Sequence, residues 1–291
     1  MKTLIVEKKY NEKNLITYLT TIFPSLKTSC IYKALRKKDI KLNGTRINQT
    51  TELHTGDKLD IYIVDSELYG VNLQDIKTIY EDENIVVFNK PINLEVVGDF
   101  SLTSIKQREY KFLEPCHRID RNTIGLVLFA KNQDSLNILL EKFKNKEIEK
   151  HYICLCYGIP PKKSDNMEAY LFKDSKKSVV YISDEFKKGY SKISTSYKVL
   201  NTNKNKNLSL LDVTLHTGKT HQIRAHLAHI GLPILGDGKY GSYEINKRFG
   251  AYTQLLCSYS LKFNFSGENG ILDYLNGKEI KLKEMPFEQS L

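Results

Sequence analysis

The apolar residues of the first 65 positions follow a helical spacing and then a strand-like one. In residues 14–23 they recur every three or four positions, and Pro24 follows, which predicts a helix that ends before the proline. The same spacing predicts a second helix from about Thr28. The pair Asn43-Gly44 lies between two short segments of alternating polarity, a combination typical of a β-hairpin. Residues 1–65 are therefore predicted to form a small helix-hairpin domain.

Beyond residue 75 the pattern is mostly that of strands, after a polar segment at 66–75 that we interpret as a linker. Predicted strands cover residues 85–88, 126–130, 151–157, 178–182, 194–200, 208–215 and 255–265. A short polar loop joins the strands at 194–200 and 208–215, which predicts a hairpin and hence antiparallel pairing. So many strands with few long helices predict an α+β domain over residues 76–291, built on a mixed, largely antiparallel sheet.

The composition narrows the class of protein. The chain has 44 Lys+Arg against 34 Asp+Glu, a formal charge of +10, so its surface should attract a polyanion such as nucleic acid. Its 5 cysteines are scattered without a CxxC pair, which argues against a disulfide framework and for the cytoplasm. No apolar stretch approaches the roughly 18–20 residues of a membrane helix. We expect a cytoplasmic, monomeric protein that binds nucleic acid and no membrane.

Basic residues are concentrated in the second predicted helix and in the hairpin. Lys33, Arg36 and Lys37 are spaced i, i+3, i+4 and so share one helix face. A solvated helix face is the alternative interpretation. Because only Asp39 interrupts the cations, we favour a surface that contacts RNA phosphates. The residues of this predicted surface are Lys33, Arg36, Lys37, Lys38, Lys41 and Arg46.

A charged cluster directly precedes the predicted buried strand at 126–130. It reads His117-Arg118-Ile119-Asp120-Arg121-Asn122-Thr123-Ile124-Gly125. A salt-bridged loop, an anion-binding corner and a catalytic carboxylate held by arginines are all compatible with this cluster taken alone.

A second dense segment runs from 215 to 241 and contains Thr217-Gly218-Lys219-Thr220-His221-Gln222-Ile223-Arg224. It lacks the upstream glycine of a phosphate-binding loop. Its histidines at 221, 226 and 229 are spread around a helix with no acid or cysteine beside them, so we predict no metal site. The predicted helix begins near Thr220, turns Ile223, Leu227 and Ile230 inward and ends at Gly231. Arg224 would then be available to pair with a carboxylate elsewhere.

Three separated motifs together resemble the RluA-like family of RNA pseudouridine synthases. The first is the cluster His117 to Gly125, the second is Lys150-His151-Tyr152, and the third runs from Thr217 to Arg224 and on to Gly236-Asp237 and Tyr240-Gly241. The match spans about residues 75 to 265. Roughly residues 10 to 65 resemble the S-four-like RNA-binding module, a frequent companion of that family.

The resemblance implies a mechanism and a substrate. It implies that Asp120 is the single catalytic aspartate, that Tyr152 stacks on or near the target base and that Arg224 pairs with the aspartate. Further RNA contacts are expected at His117, Arg118, Lys219 and His221. The implied reaction converts uridine to pseudouridine in structured RNA, with large-subunit ribosomal RNA as the expected substrate and no cofactor. Whether the aspartate acts as nucleophile or base stays open, and a non-catalytic RNA-binding or ribosome-assembly factor is the alternative.

The sequence departs from the family pattern at a few positions. Ile124 stands where the family usually has serine, Ile119 where it has leucine, and Lys219 where it often has arginine. After Lys90-Pro91 the family usually has a glycine, whereas this chain has Ile92-Asn93. None of these changes removes a proposed catalytic group.

Overall fold

The computed structural model describes residues 2–291, without the side chains of Asp65 and Ser66, and the chain forms two compact units that meet between Gln74 and Asp75. The predicted linker at 66–75 is not wholly extended. Its first part belongs to a short helix, Asp65–Tyr69, whose Leu68 is buried in the core of the first unit. Burial of that leucine accounts for the difference from the predicted domain end at residue 65.

The first unit contains the two predicted helices and a small antiparallel sheet, together with a third, short helix that the spacing did not predict. Its elements are β1 (Lys2–Ile5), β2 (Lys13–Asn14), α1 (Leu15–Ile22), α2 (Thr28–Arg36), β3 (Ile40–Leu42), β4 (Thr45–Ile47), β5 (Glu52–Leu53), β6 (Lys58–Ile61) and α3 (Asp65–Tyr69). The sheet has the order β1-β6-β3-β4. The side chain of Asn14 caps α1 by accepting the backbone N–H of Ile16 at 2.9 Å. Leu15, Leu19, Ile31 and Leu35 from the two helices pack in one core.

The second unit is an α+β domain around one large sheet, which confirms the predicted fold class. Its elements are β7 (Lys77–Glu81), β8 (Ile85–Lys90), α4 (Leu102–Lys106), β9 (Glu114–Pro115), β10 (Ile124–Ala130), α5 (Gln133–Lys144), β11 (Ile148–Tyr157), β12 (Ser164–Asp174), β13 (Val179–Ser183), β14 (Ser191–Asn203), β15 (Leu208–Leu215), α6 (Gln222–His229), α7 (Tyr243–Arg248), β16 (Leu256–Phe263) and β17 (Glu279–Lys281). The strand order is β13-β12-β14-β15-β11-β16-β10-β8-β7, with β17 on β16 and β9 on β10. Within the described residues β10 and β16 run parallel and the other neighbours antiparallel.

The parallel pair β10–β16 brings two of the predicted motifs together. Gly125, in β10, has φ 108° and pairs with Ser258 of β16, where an added Cβ would lie 2.2 Å from the Ser258 carbonyl oxygen. Only glycine fits this close approach. On the other side of β16, β11 pairs with it across a β-bulge, in which Tyr259 of β16 is the extra residue between the pairs His151–Ser260 and Tyr152–Ser258. Bulges of this kind re-aim side chains beside active sites. The charged cluster, which leads into β10, and Tyr152, in β11, therefore lie on the two strands that flank β16.

The helix α6 packs on β13 and β14 and corrects part of the sequence prediction. Ile223 and Leu227 are buried as predicted, but Ile230 is 40% exposed. The helix ends at His229, and Gly231, at φ 80°, closes it: the Gly231 N–H donates to the carbonyl of Ala228 and the Leu232 N–H to that of Leu227.

Candidate active site

The loop that carries Asp120 is fixed at its end by hydrogen bonds. The Asp120 carbonyl accepts the backbone N–H of Thr123 at 3.0 Å, closing a tight turn. The Thr123 hydroxyl in turn accepts a bond of 2.7 Å from the amide of the buried Gln254. Asp120 is therefore held at the mouth of β10, where the chain turns into the sheet.

A buried lysine supports the same loop from below. The Nζ of Lys90 donates to the carbonyls of Pro91, Leu94 and Arg121 at 2.9, 2.6 and 3.0 Å. Burial lowers the pKa of Lys90 to about 7. Asn93 lies between these groups at φ 64°, a left-handed conformation that glycine adopts freely and asparagine tolerates. The residue change from the family pattern thus falls where the backbone conformation requires glycine or asparagine.

His117 has a structural role within this loop. Its Nε2 accepts the backbone N–H of Leu128 at 3.1 Å, and its Nδ1 is buried. Burial lowers the pKa of His117 to about 3. A ring that accepts a backbone hydrogen bond shapes the loop, and the contact of His117 with RNA stays a prediction.

Asp120 and Arg224 meet although they are 104 residues apart. Nη1 of Arg224 donates to Oδ2 of Asp120 at 3.0 Å, while Oδ1 of Asp120 accepts no hydrogen bond from residues 2–291. The Asp120 side chain is 25% exposed and the Arg224 side chain only 10%. The predicted pairing of these two groups is therefore present, with one carboxylate oxygen left open to a ligand.

A second carboxylate, which the sequence reasoning assigned no role, holds the guanidinium from behind. Arg224 donates from Nε and Nη2 to the two carboxylate oxygens of Asp237, at 2.7 and 2.9 Å. Asp237 is fully buried, and one of its oxygens also accepts the backbone N–H groups of Lys239 and Tyr240. Although burial opposes it, Arg224 holds the pKa of Asp237 below its usual value. Arg224 thus links Asp120 and Asp237 by donating hydrogen bonds to both carboxylates.

His221 completes the cluster through Tyr240. The Tyr240 hydroxyl accepts the backbone N–H of Val180 at 2.9 Å, so its own proton points to Nδ1 of His221, also at 2.9 Å. In the neutral ring this arrangement places the remaining proton on Nε2, which lies 3.9 Å from Oδ2 of Asp120. Burial lowers the pKa of His221. His221 is therefore a close neighbour of the Asp120 carboxylate, and its contact with RNA stays a prediction.

Asp120, His221 and Arg224 line a cavity of about 350 Å³. Tyr152 forms part of its wall and is only 4% exposed; burial and the charge of Asp120 raise the pKa of its hydroxyl, which stays protonated. The cavity is also lined by Arg118, Lys219 and Lys150. The structure therefore brings together Asp120, Tyr152, Arg224 and the cations predicted beside them.

The predicted RNA surface of the first unit consists mostly of exposed side chains. Lys33, Arg36, Lys37, Lys38 and Arg46 are exposed and Lys41 is half-buried. Lys33, Lys37 and Tyr62 line a groove of about 180 Å³. Lys41 and Arg46 lie over the Tyr62 ring, at 5.6 and 5.4 Å from its centroid. Glu67 of α3 approaches Lys33 to 3.9 Å, so one acid beyond Asp39 borders the surface.

The described residues contain neither a metal-binding cluster nor a membrane-spanning helix. No group of three or more His, Cys, Asp or Glu side chains in residues 2–291 is arranged to hold a metal ion. None of the helices in that range is long and apolar enough to cross a membrane.

The fold is that of pseudouridine synthases. Two human structures, RNA pseudouridylate synthase domain containing 1 and domain containing 4, superpose with a TM-score of 0.59 each at 21% identity. They cover 68% and 73% of this chain and 82% and 90% of their own chains.

The sequence comparisons identify the family. The model of the RNA pseudouridylate synthase family matches residues 84–229. A ribosomal large subunit pseudouridine synthase C of Rickettsia felis is 32% identical over 93% of this chain and 92% of its own length. An RNA pseudouridine synthase of Mycoplasma capricolum is 30% identical over 96% and 97%. This chain belongs to the RNA pseudouridine synthases, in their RluA-like family.

Proposed function

We propose that this protein converts specific uridines of large-subunit ribosomal RNA to pseudouridine, with Asp120 as the catalytic group. The observation that carries the proposal is the carboxylate of Asp120 in the cavity, bonded through one oxygen to Arg224 and open at the other. Relatives named as ribosomal large subunit pseudouridine synthases support the choice of RNA. We further propose that the protein works in the cytoplasm as a monomer.

The chemistry needs one carboxylate at the ribose. The bond from C1′ to N1 of uracil breaks, the base turns, C1′ joins C5, and the proton on C5 is replaced by one on N1, so atoms and electrons balance without a redox partner. The open oxygen of Asp120 serves as nucleophile or as base at the ribose. Arg224 offsets the charge of an ionised Asp120, and Asp237 keeps the guanidinium in place.

The target base has to leave its stack to enter the cavity. Extrusion costs a few kcal/mol, and stacking on an aromatic ring returns about 1–3 kcal/mol per base. We propose that Tyr152, beside Asp120, supplies this ring and that its hydroxyl is neutral. Arg118 and Lys219 at the cavity are proposed to contact phosphates of the extruded strand.

The basic surface of the first unit is proposed to bind the same RNA away from the target base. Its exposed lysines and arginines are point charges on a helix and a hairpin, a distribution that fits phosphates better than base edges. Tyr62, with Arg46 and Lys41 over its ring, adds a partly exposed aromatic face on which an unpaired base can stack.

Replacing Asp120 with asparagine tests the proposal. The wild-type protein should produce carbodiimide-reactive pseudouridine in ribosomal RNA transcripts, and Asp120→Asn should produce none while it still binds the RNA with similar affinity. Turnover by Asp120→Asn would refute the role of the carboxylate. A wild-type protein that binds but leaves every uridine unchanged would instead indicate a non-catalytic assembly factor, and release of free uracil would indicate hydrolysis.

A further inference from the structure

The candidate active site carries more positive charge than its own residues neutralise. Of the described residues that line the cavity, Asp120 is the only one with a carboxylate, whereas Arg118, Lys150, Lys219 and Arg224 are cations. Arg224 is paired with Asp120 and with Asp237. The other three cations therefore surround the cavity without a matching anion, a charge distribution that fits a negatively charged ligand.

Lys150 differs from the other two because it is set into the wall. It lies on β11, two residues before Tyr152, so the two side chains leave the strand on the same side. Its ammonium lies 5.4 Å from the centroid of the Phe143 ring and next to Gly218, where an added Cβ would be only 3.6 Å from Nζ. The amine is thus held between α5 and the loop that precedes α6.

The ammonium of Lys150 forms no ion pair with any carboxylate of residues 2–291 whose side chain the structure describes. Burial lowers the pKa of this lysine, since removing a cation from water is costly without a partner. A bound anion would supply that partner.

We propose that Lys150 binds a phosphodiester of the RNA strand next to the base held at Tyr152. The backbone positions i and i+2 of a strand lie about 6–7 Å apart, and both side chains line the same cavity, so one nucleotide can contact the ring with its base and the amine with its phosphate. A compact ammonium suits a single phosphate oxygen. Lys150 then fixes how far the target nucleotide enters the cavity. The inference rests on the proposed function in taking the ligand to be RNA.

The test measures binding without turnover. In the Asp120→Asn background, Lys150→Met is compared with its parent on a synthetic RNA stem-loop that carries one unpaired uridine. We expect a loss of about tenfold in affinity, the effect of one charge-assisted hydrogen bond. The slope of log K against log salt should fall in magnitude by about 0.7–0.9, the value for one phosphate contact. Lys262→Met is the matched control, because Lys262 neighbours Lys150 across β11–β16 but points to the other face of the sheet.

A second measurement locates the contact. Each phosphodiester around the uridine is replaced in turn by a neutral methylphosphonate. At one position the replacement should weaken binding of the parent about tenfold and leave Lys150→Met unaffected, because that contact is already lost. Lys150→Arg should restore the dependence on this phosphate.

Two results would overturn the inference: an unchanged salt slope in Lys150→Met, or losses that add at every phosphate position. Both are read in a protein that performs no chemistry. They are therefore independent of whether the wild-type protein forms pseudouridine, which decides the proposed function.

Discussion

Replacing Asp237 with asparagine should uncouple Arg224 from Asp120 without altering the cavity wall. Asp237 does not line the cavity, and asparagine keeps one oxygen for Nη2 of Arg224 and for the backbone N–H groups of Lys239 and Tyr240. The other oxygen, which accepts Nε of Arg224 at 2.7 Å, becomes an NH₂ group. Two donors then face each other, and the guanidinium has to move.

The structure sets the size of both expected effects. Removing one partner of a buried ion pair costs about 3–5 kcal/mol of stability. For a domain of this size that lowers the melting temperature by roughly 6–20 °C. If the shift of Arg224 breaks its bond to Asp120, a charge-assisted hydrogen bond worth about 1.5–3 kcal/mol is lost. The value of kcat should then fall roughly 10- to 150-fold with little change in KM.

The assay is steady-state formation of pseudouridine, well below the melting temperature of every variant. Glu147→Gln is the matched control, because Glu147 pairs with the buried Lys142 at 2.8 Å in a part of the domain that does not line the cavity. This variant should lose stability and keep its kcat. In an Arg224→Lys background, Asp237→Asn should add little further loss, since both changes break the same link.

A normal kcat in a destabilised Asp237→Asn protein would show that Asp237 serves stability alone. An equal loss of kcat in Glu147→Gln would show that activity follows global stability, and either result would refute the positioning role of Asp237.

Two further predictions concern pH and RNA affinity. The pKa of His117 is about 3 in the folded protein, below the unfolded value near 6.5, so the unfolded state binds more protons between these values. Stability should therefore fall as pH drops below about 6.5, by up to roughly 1.4 kcal/mol per unit from this group. Denaturant unfolding at pH 7, 5 and 4 should show a smaller loss for His117→Gln, which cannot titrate; an equal loss would contradict the assignment. Lys37→Glu, in the first unit, should weaken RNA binding and its salt dependence but leave kcat at saturating RNA unchanged. The control is Lys9→Glu, which should weaken RNA binding less because Glu7 already pairs with Lys9 at 2.9 Å. Equal effects of the two would argue against a defined surface.

The sequence was sufficient to predict the central pair of the site. Asp120 and Arg224 were singled out because each lies in a motif whose spacing resembles one family, and the structure joins them across 104 residues. The role of Asp237 was not predictable in the same way. Its motif was visible, but a carboxylate behind a guanidinium is defined by their separation in space, which neither residue type nor spacing encodes.

The orientation of α6 shows a second limit of sequence patterns. Apolar spacing predicts that Ile230 points inward, whereas Ile230 is 40% exposed and His226 is only 1% exposed. The Thr195 hydroxyl accounts for the burial of His226, because it lies 3.1 Å from His226 Nδ1 and 2.9 Å from the Gln222 amide. A polar side chain can be buried where it finds a partner, and that partner comes from a distant strand.

Two departures from the family pattern, at Asn93 and Ile124, fall where the chain is held by backbone atoms. Asn93, in place of glycine, keeps a left-handed conformation, and its carbonyl accepts Nε of Arg121 at 3.2 Å. Ile124, in place of serine, pairs with Cys257 through the backbone ladder. Such contacts depend on main-chain geometry, so they tolerate a change of side chain that preserves φ and ψ. The Asp120–Arg224–Asp237 chain is built from side-chain atoms alone, so a single substitution there is expected to change the chemistry.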